Sequence, residues 1–303
     1  MRELLLGVLV AAVAAPVSAQ EVFRTTADPL VRVGVAVIDD NGALVSGLTP
    51  EDFVVLEDGR RQTVRLFAHG DDLPDELPLH VGLLLDTSGS MEDDIRFART
   101  AAIKFLRLVP APDDMTVVDF ATEVRLARFQ SSQFPRLVER IRGQPPEGWT
   151  ALYDALSVYL HGAFDQDGDK VLALYTDGGD TSSTSSFTEL LDLVRTSDVT
   201  IYAIGLLEHQ PPSVRLEQRL RLQQITDESG GEAFFPMSVK ELDAAYARVL
   251  DEIKGRYILG YISTNERQDG TWRKLHVRLT RDDVKDVKLR TRKGYFALYR
   301  AEK

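Results

Sequence analysis

The sequence predicts an α/β chain: a doubly wound, mostly parallel sheet at its centre, with a smaller all-β, sandwich-like module formed from both chain ends. Three observations carry this. From Leu79 to Lys254 short apolar runs alternate with helical stretches, the pattern of parallel strands joined by helical crossovers. Before that stretch, Leu30 to Phe67 alternates and turns like β-structure. After it the β-pattern returns, and neither flank has enough strands to bury a face alone.

The elements follow in chain order. Met1-Arg2-Glu3 leads into an apolar run from Leu4 to Val17, and Val17-Ser18-Ala19 places small side chains before Gln20. That is the layout of a secretory signal peptide over residues 1–19, cleaved after Ala19. The alternative, an uncleaved anchor, would need about 20 apolar residues. Residues 20–78 form a β-rich segment and linker. In it Val31, Val33, Val35 and Val37 share one face, Asn41-Gly42 and Asp58-Gly59 make turns, and Phe53–Leu56 and Gln62–Phe67 are strands. Gly70 to Pro78, with its prolines and acids, reads as the linker.

Residues 79–254 are the α/β domain. Strands are expected at 80–85, 116–120, 124–129, 171–176, 200–205 and 233–235, and helices at about 93–108, 134–141, 151–163, 187–196, 215–229 and 239–254. Residues 255–303 complete the sandwich. Tyr257–Tyr261 is a strand, Leu275, Val277 and Leu279 alternate with polar neighbours, and Val287–Thr291 is the last strand. No later segment matches the length of a membrane span.

Composition narrows the function. The chain has no cysteine, so disulfides, thiolate metal sites and a lipid-modified amino-terminal cysteine are excluded, and a metal must be held by oxygen or imidazole. A net charge of −11 argues against nucleic acid or anionic lipid as the main partner.

The residues that carry chemistry begin at the first central strand. Val81-Gly82-Leu83-Leu84-Leu85 ends in Asp86-Thr87-Ser88-Gly89-Ser90. One carboxylate and two hydroxyls follow at alternate positions, at the carboxyl end of a strand where open α/β sheets bind ligands. A loop there can aim Asp86, Ser88 and Ser90 at one point.

Asp86-Thr87-Ser88-Gly89-Ser90 resembles the Asp-x-Ser-x-Ser metal motif of von Willebrand factor type A domains, and the resemblance extends over about Leu79 to Lys254. It implies that Thr150, in Gly148-Trp149-Thr150-Ala151, and Asp177, in Tyr175-Thr176-Asp177-Gly178-Gly179, complete a metal-ion-dependent adhesion site. Trp149 stands where the family usually has glycine, so it and Gly178 are expected to meet the partner. The flanks, Gly47-Leu48-Thr49-Pro50-Glu51-Asp52-Phe53 with Glu57-Asp58-Gly59 and the late Arg292-Lys293-Gly294-Tyr295-Phe296, resemble a group of exported bacterial relatives. The resemblance thus implies an exported, periplasmic or extracellular module that binds a protein partner's Asp or Glu through Mg²⁺, with Mn²⁺ or Ca²⁺ as alternatives. Mg²⁺ takes about six oxygens and keeps waters, which suits a ligand set rich in neutral hydroxyls.

The same residues admit other readings. Asp86 or Ser90 alone suits a helix cap, and Asp180 a turn. Asp119 breaks an apolar strand with no role legible from sequence. The histidines at 69, 80, 161, 209 and 276 lack the paired spacing of zinc hydrolases. Gly178-Gly179 lacks the basic residue of a phosphate loop. Asp86-Thr87-Ser88-Gly89 has its glycine one place too late for an aspartic protease, and Ser88 stands where a dehalogenase-like phosphatase needs a second aspartate. No histidine lies near enough in sequence to activate a serine. The expectation is therefore a non-enzymatic binding module of the cell envelope. A structural envelope protein with a stabilising metal is the second reading, and a metal-assisted hydrolase the third.

Overall fold

A computed structural model describes residues 30–69, 78–110, 112–143, 145–164, 166–281 and 286–297. The expected signal peptide at 1–19 and linker residues 70–77 lie outside these. The amino-terminal flank forms β1 (Leu30–Ile38), β2 (Phe53–Glu57), β3 (Arg60–Gln62) and β4 (Val64–His69). Asp58 and Gly59, at φ 47° and 79°, turn β2 into β3, since a right-twisted hairpin needs two left-handed central residues.

The central domain runs through β5 (Leu79–Asp86), α1 (Ile95–Leu108), β6 (Asp114–Phe120), β7 (Val124–Gln130), α2 (Phe134–Gly143), α3 (Leu152–Ala163) and β8 (Asp169–Thr176). It continues with α4 (Phe187–Thr196), β9 (Thr200–Gly205), α5 (Pro212–Ser229), β10 (Ala233–Phe234) and α6 (Val239–Gly255). The six strands lie in the order β10-β9-β8-β5-β6-β7, parallel except for β7. Leu83, Leu84 and Leu85 of β5 are fully buried, as a strand covered on both faces requires. One core packs α1, α2 and α6 on the sheet; the other packs α3, α4 and α5. Gly82 is required where it stands, because a Cβ would lie 2.3 Å from the Tyr159 ring.

Helix α1 begins two residues later than expected. Gly89–Met91 forms a 3₁₀ turn first, and Asp94 at the cap makes no side-chain capping bond. Helix α5 begins three residues earlier, at Pro212, because proline tolerates the first helical turn.

The tail forms β11 (Tyr257–Ile262), β12 (Trp272–Leu279), β13 (Lys288–Arg290) and β14 (Gly294–Phe296). Two antiparallel sheets result, β13-β1-β11-β4 and β14-β12-β2-β3, and each combines strands from both ends of the chain. Between them lies a core of Val33, Val35, Val37, Phe53, Val55, Tyr257, Leu259, Tyr261, Leu275 and Val277. Only Arg256 separates α6 from β11. Its buried guanidinium pairs with Asp169 and donates to Thr200 Oγ1 at 2.8 Å, while Arg290 pairs with Glu232 and Glu252. Asp169 and Thr200 begin β8 and β9, so this join lies at the amino-terminal edge of the central sheet. The carboxyl-terminal edge faces the other way. Among the described residues no helix is long and apolar enough to cross a membrane.

Candidate metal centre

Strand β5 sits where strand order reverses: β6 continues the sheet on one side and β8 on the other. The crevice between the carboxyl ends of β5 and β8 is the place where such sheets bind ligands. Asp86 ends β5 and is fully buried. Its Oδ1 accepts from the Ser88 backbone N–H at 2.9 Å and from Ser88 Oγ at 2.6 Å, which folds the chain back after the strand instead of capping a helix. Ser88 Oγ lies 3.1 Å from Ser90 Oγ. With its proton on Asp86, the Ser88 hydroxyl keeps lone pairs free to face a cation. Thr87 fastens the loop through two bonds to the Phe120 carbonyl, from N at 2.8 Å and Oγ1 at 3.0 Å.

The second wall is the end of β8. Thr176 Oγ1 donates to Asp86 Oδ2 at 2.6 Å and accepts from the Gly178 N–H at 3.0 Å. Asp177 is 3% exposed; Oδ1 accepts from the Gly179 N–H at 3.0 Å and Oδ2 from Gln210 Nε2 at 2.8 Å.

The third wall is the turn before α3. The Gly148 carbonyl accepts from the Gly89 N–H at 3.1 Å, and the Thr87 carbonyl from the Glu147 N–H at 2.9 Å, lacing this turn to the Asp86 loop. The Thr150 carbonyl accepts from the N–H groups of Thr181 and Ser182, at 2.8 and 3.1 Å, lacing it to the Asp177 loop. Thr150 itself is 4% exposed and Trp149 beside it 67% exposed. Asp180 holds the same region: its Oδ1 accepts from the Tyr153 N–H at 3.1 Å and Ser183 Oγ at 2.6 Å.

The electrostatics of the crevice are set by its two acids. Burial, and then the like charge of Asp177, push the Asp86 carboxyl up to about 7, against the lowering effect of its bonds from Ser88 and Thr176. Among the described residues neither carboxylate has a Lys or Arg partner. Two like-charged carboxylates with no such partner among the described residues, Asp86 bonded in a chain to the Ser88 and Ser90 hydroxyls, form a hard oxygen set that fits Mg²⁺. Among the described residues no cluster of three or more His, Asp or Glu offers a more conventional cage.

The five expected ligands are thus placed around one crevice: Asp86, Ser88 and Ser90 in a bonded chain, Asp177 coupled to Asp86 by charge, and Thr150 on a turn bonded to both neighbouring loops. Gly178, expected to meet the partner, is buried, with φ 81°, and a Cβ there would lie 3.0 Å from Gln218 Cβ, so it turns the chain under α5. Thr176 and Gln210 also hold the site, each by a bond to one of its acids. Thr176 was legible in principle as a hydroxyl at a strand end, whereas nothing local marks Gln210. Asp119 is explained by its 2.7 Å ion pair with Arg140 of α2.

The von Willebrand factor type A domain model matches residues 80–248, more than half of the chain. The chain belongs to the von Willebrand factor type A domain family. Solved structures show a partial likeness. The type A domain resembles an aerotolerance-related membrane protein from Bacteroides fragilis, at 15% identity over 57% of this chain and 98% of that one, TM-score 0.47. A von Willebrand factor type A protein from Catenulispora acidiphila matches at 13% identity over 92% and 76%, TM-score 0.49. The pilus adhesin SpaC from Lactobacillus rhamnosus GG matches at 11% identity over 87% of this chain and 48% of that one, TM-score 0.50. At such identities the likeness concerns the fold alone. No curated protein matches significantly.

Proposed function

We propose that this chain is an exported, metal-dependent protein-binding module of the bacterial cell envelope, which takes an acidic side chain of a partner at the Asp86 crevice. The observation that carries the reading is the buried, like-charged pair Asp86 and Asp177, Asp86 bonded to Ser88 and through it to Ser90, beside the turn that bears Thr150, with no Lys or Arg paired to either acid among the described residues. Mg²⁺ bound there would supply a Lewis-acidic position for a carboxylate oxygen. Asp86 is held by Ser88 and Thr176, and Asp177 by Gly179 and Gln210, so the donors are fixed before any partner arrives. Trp149, exposed at the rim, adds apolar contact area, as aromatic anchors do at interfaces. SpaC, a pilus adhesin, shares the fold, but the reading rests on the crevice.

Binding is favoured over catalysis by the hydroxyls' partners. Among the described residues no histidine bonds to Ser88, Ser90 or Thr150, so no histidine-activated nucleophile is assembled there. A stabilising metal without a partner is the competing reading. Immobilised protein should retain an envelope protein in Mg²⁺ and release it in chelator. Retention unaffected by chelator, or Mg²⁺-dependent hydrolysis lost in Asp86→Asn, would overturn the proposal.

A further inference from the structure

A second charged feature lies away from the crevice, along α1 and the end of α2. A groove of about 570 Å³ is lined there by Arg96, Arg99, Lys104, Arg107 and Arg142, with no acidic side chain among its walls. Ile103 and the half-exposed Leu108 give it an apolar floor. On a chain of net charge −11, such a cluster runs against the general field.

Part of this charge is already engaged. Lys104 pairs with Asp243 of α6 at 2.5 Å, and the Arg107 guanidinium lies 5.7 Å from the centre of the Phe134 ring. Arg96, Arg99 and Arg142 have no acidic partner among the described residues. Arg99 is the telling one: its Nε and one terminal nitrogen are buried and make no hydrogen bond, and burial lowers its pKa from the ordinary value. With no acidic partner for Arg96, Arg99 or Arg142, the positive charge of the groove favours an anionic occupant.

We propose that the α1–α2 groove is a second docking surface, which receives an acidic peptide segment of a partner protein. The shape favours this occupant. Arg96, Arg99, Ile103 and Arg107 follow one another at three- and four-residue steps along one helix face. Arg96 to Arg107 spans about 16 Å at the α-helical rise, the length of about five extended residues. A single inorganic anion would use one end of such a stripe. A concave strip with Ile103 and Leu108 at its base suits carboxylates interspersed with apolar side chains better than a flat lipid surface.

The test keeps the groove apart from the Asp86 crevice by working in chelator throughout, where a metal-bridged carboxylate contributes nothing. A fluorescent octaglutamate peptide is titrated with the full chain at low salt and followed by anisotropy. Saturable binding is expected, weakening steadily with added salt, absent for octaglutamine, and at least about tenfold weaker in Arg96→Glu/Arg142→Glu. Both substituted residues are exposed, so the variant keeps its fold, and Arg99→Gln should weaken binding independently. Equal binding by wild type and the double variant, or no binding by wild type, would overturn the proposal. So would tight binding of phosphatidylglycerol vesicles or inorganic phosphate with the peptide left unbound.

Discussion

The burial of Asp86 makes the metal-free protein sensitive to pH in a direction opposite to that of most acidic residues. Its carboxyl moves from an ordinary 3.8 up to about 7 on folding, chiefly through burial and then through Asp177. The folded state therefore binds the proton more tightly than the unfolded chain. The stability this contributes is complete below about pH 4 and is lost as pH rises through about 7. At about 1.4 kcal/mol per pH unit, the full loss is about 4 kcal/mol. Urea unfolding in chelator at pH 5, 6, 7 and 8 measures it, with Asp86→Asn as the comparison. The amide keeps the shape but cannot titrate, so the variant should gain on wild type by up to about 3 kcal/mol between pH 5 and 8. Mg²⁺ should restore wild type at pH 8 by replacing the proton. Parallel pH profiles for the two proteins would refute the reasoning.

Three further outcomes follow from the packing. Gly178→Ala places a side chain at φ 81° against Gln218, and urea unfolding should show a loss of about 1 to 3 kcal/mol; an unchanged midpoint would mean the loop relaxes freely. Deleting Tyr257 to Lys303 removes both neighbours of β1, which are β11 and β13. Hydrogen exchange should then show lost protection over residues 31–37, and full protection would contradict a shared sandwich. Trp149→Ala should leave Mg²⁺ affinity within about twofold while weakening the partner. If metal affinity fell equally, Trp149 would be part of the turn's scaffold instead of its contact surface.

Much of this architecture is legible in the residues because burial is written locally. Leu83, Leu84 and Leu85 form an apolar run too continuous for a strand with a wet face, and Asp58-Gly59 can scarcely be other than a hairpin turn. Asp86, Ser88 and Ser90 are equally local, since their alternate spacing survives any fold that ends a strand at Asp86. Thr150 and Asp177 are not, and they were reached through the family resemblance, because only the crossovers bring them to the same edge. Thr176 and Gln210 act across separations of 90 and 33 residues, with no local pattern to announce them. The same holds for Asp119, whose partner Arg140 lies on another element. Helix α1 begins two residues after the expected position because the chain uses a 3₁₀ turn at Gly89–Met91, with Met91 buried, to enter the helix. The burial of Gly178 is not local either, since it is imposed by Gln218 and Leu222 of α5 from much later in the chain.

The central claim, that Asp86 and its neighbours hold a divalent cation, is tested most directly by calorimetric titration of Mg²⁺ into wild type and Asp86→Asn at pH 8. The variant is expected to fold at least as firmly as wild type without metal, so lost binding cannot be ascribed to unfolding. Wild type should bind one ion per chain, and Asp86→Asn at least about tenfold more weakly. Equal affinity in the two proteins, or no saturable Mg²⁺ binding by wild type, would contradict the account.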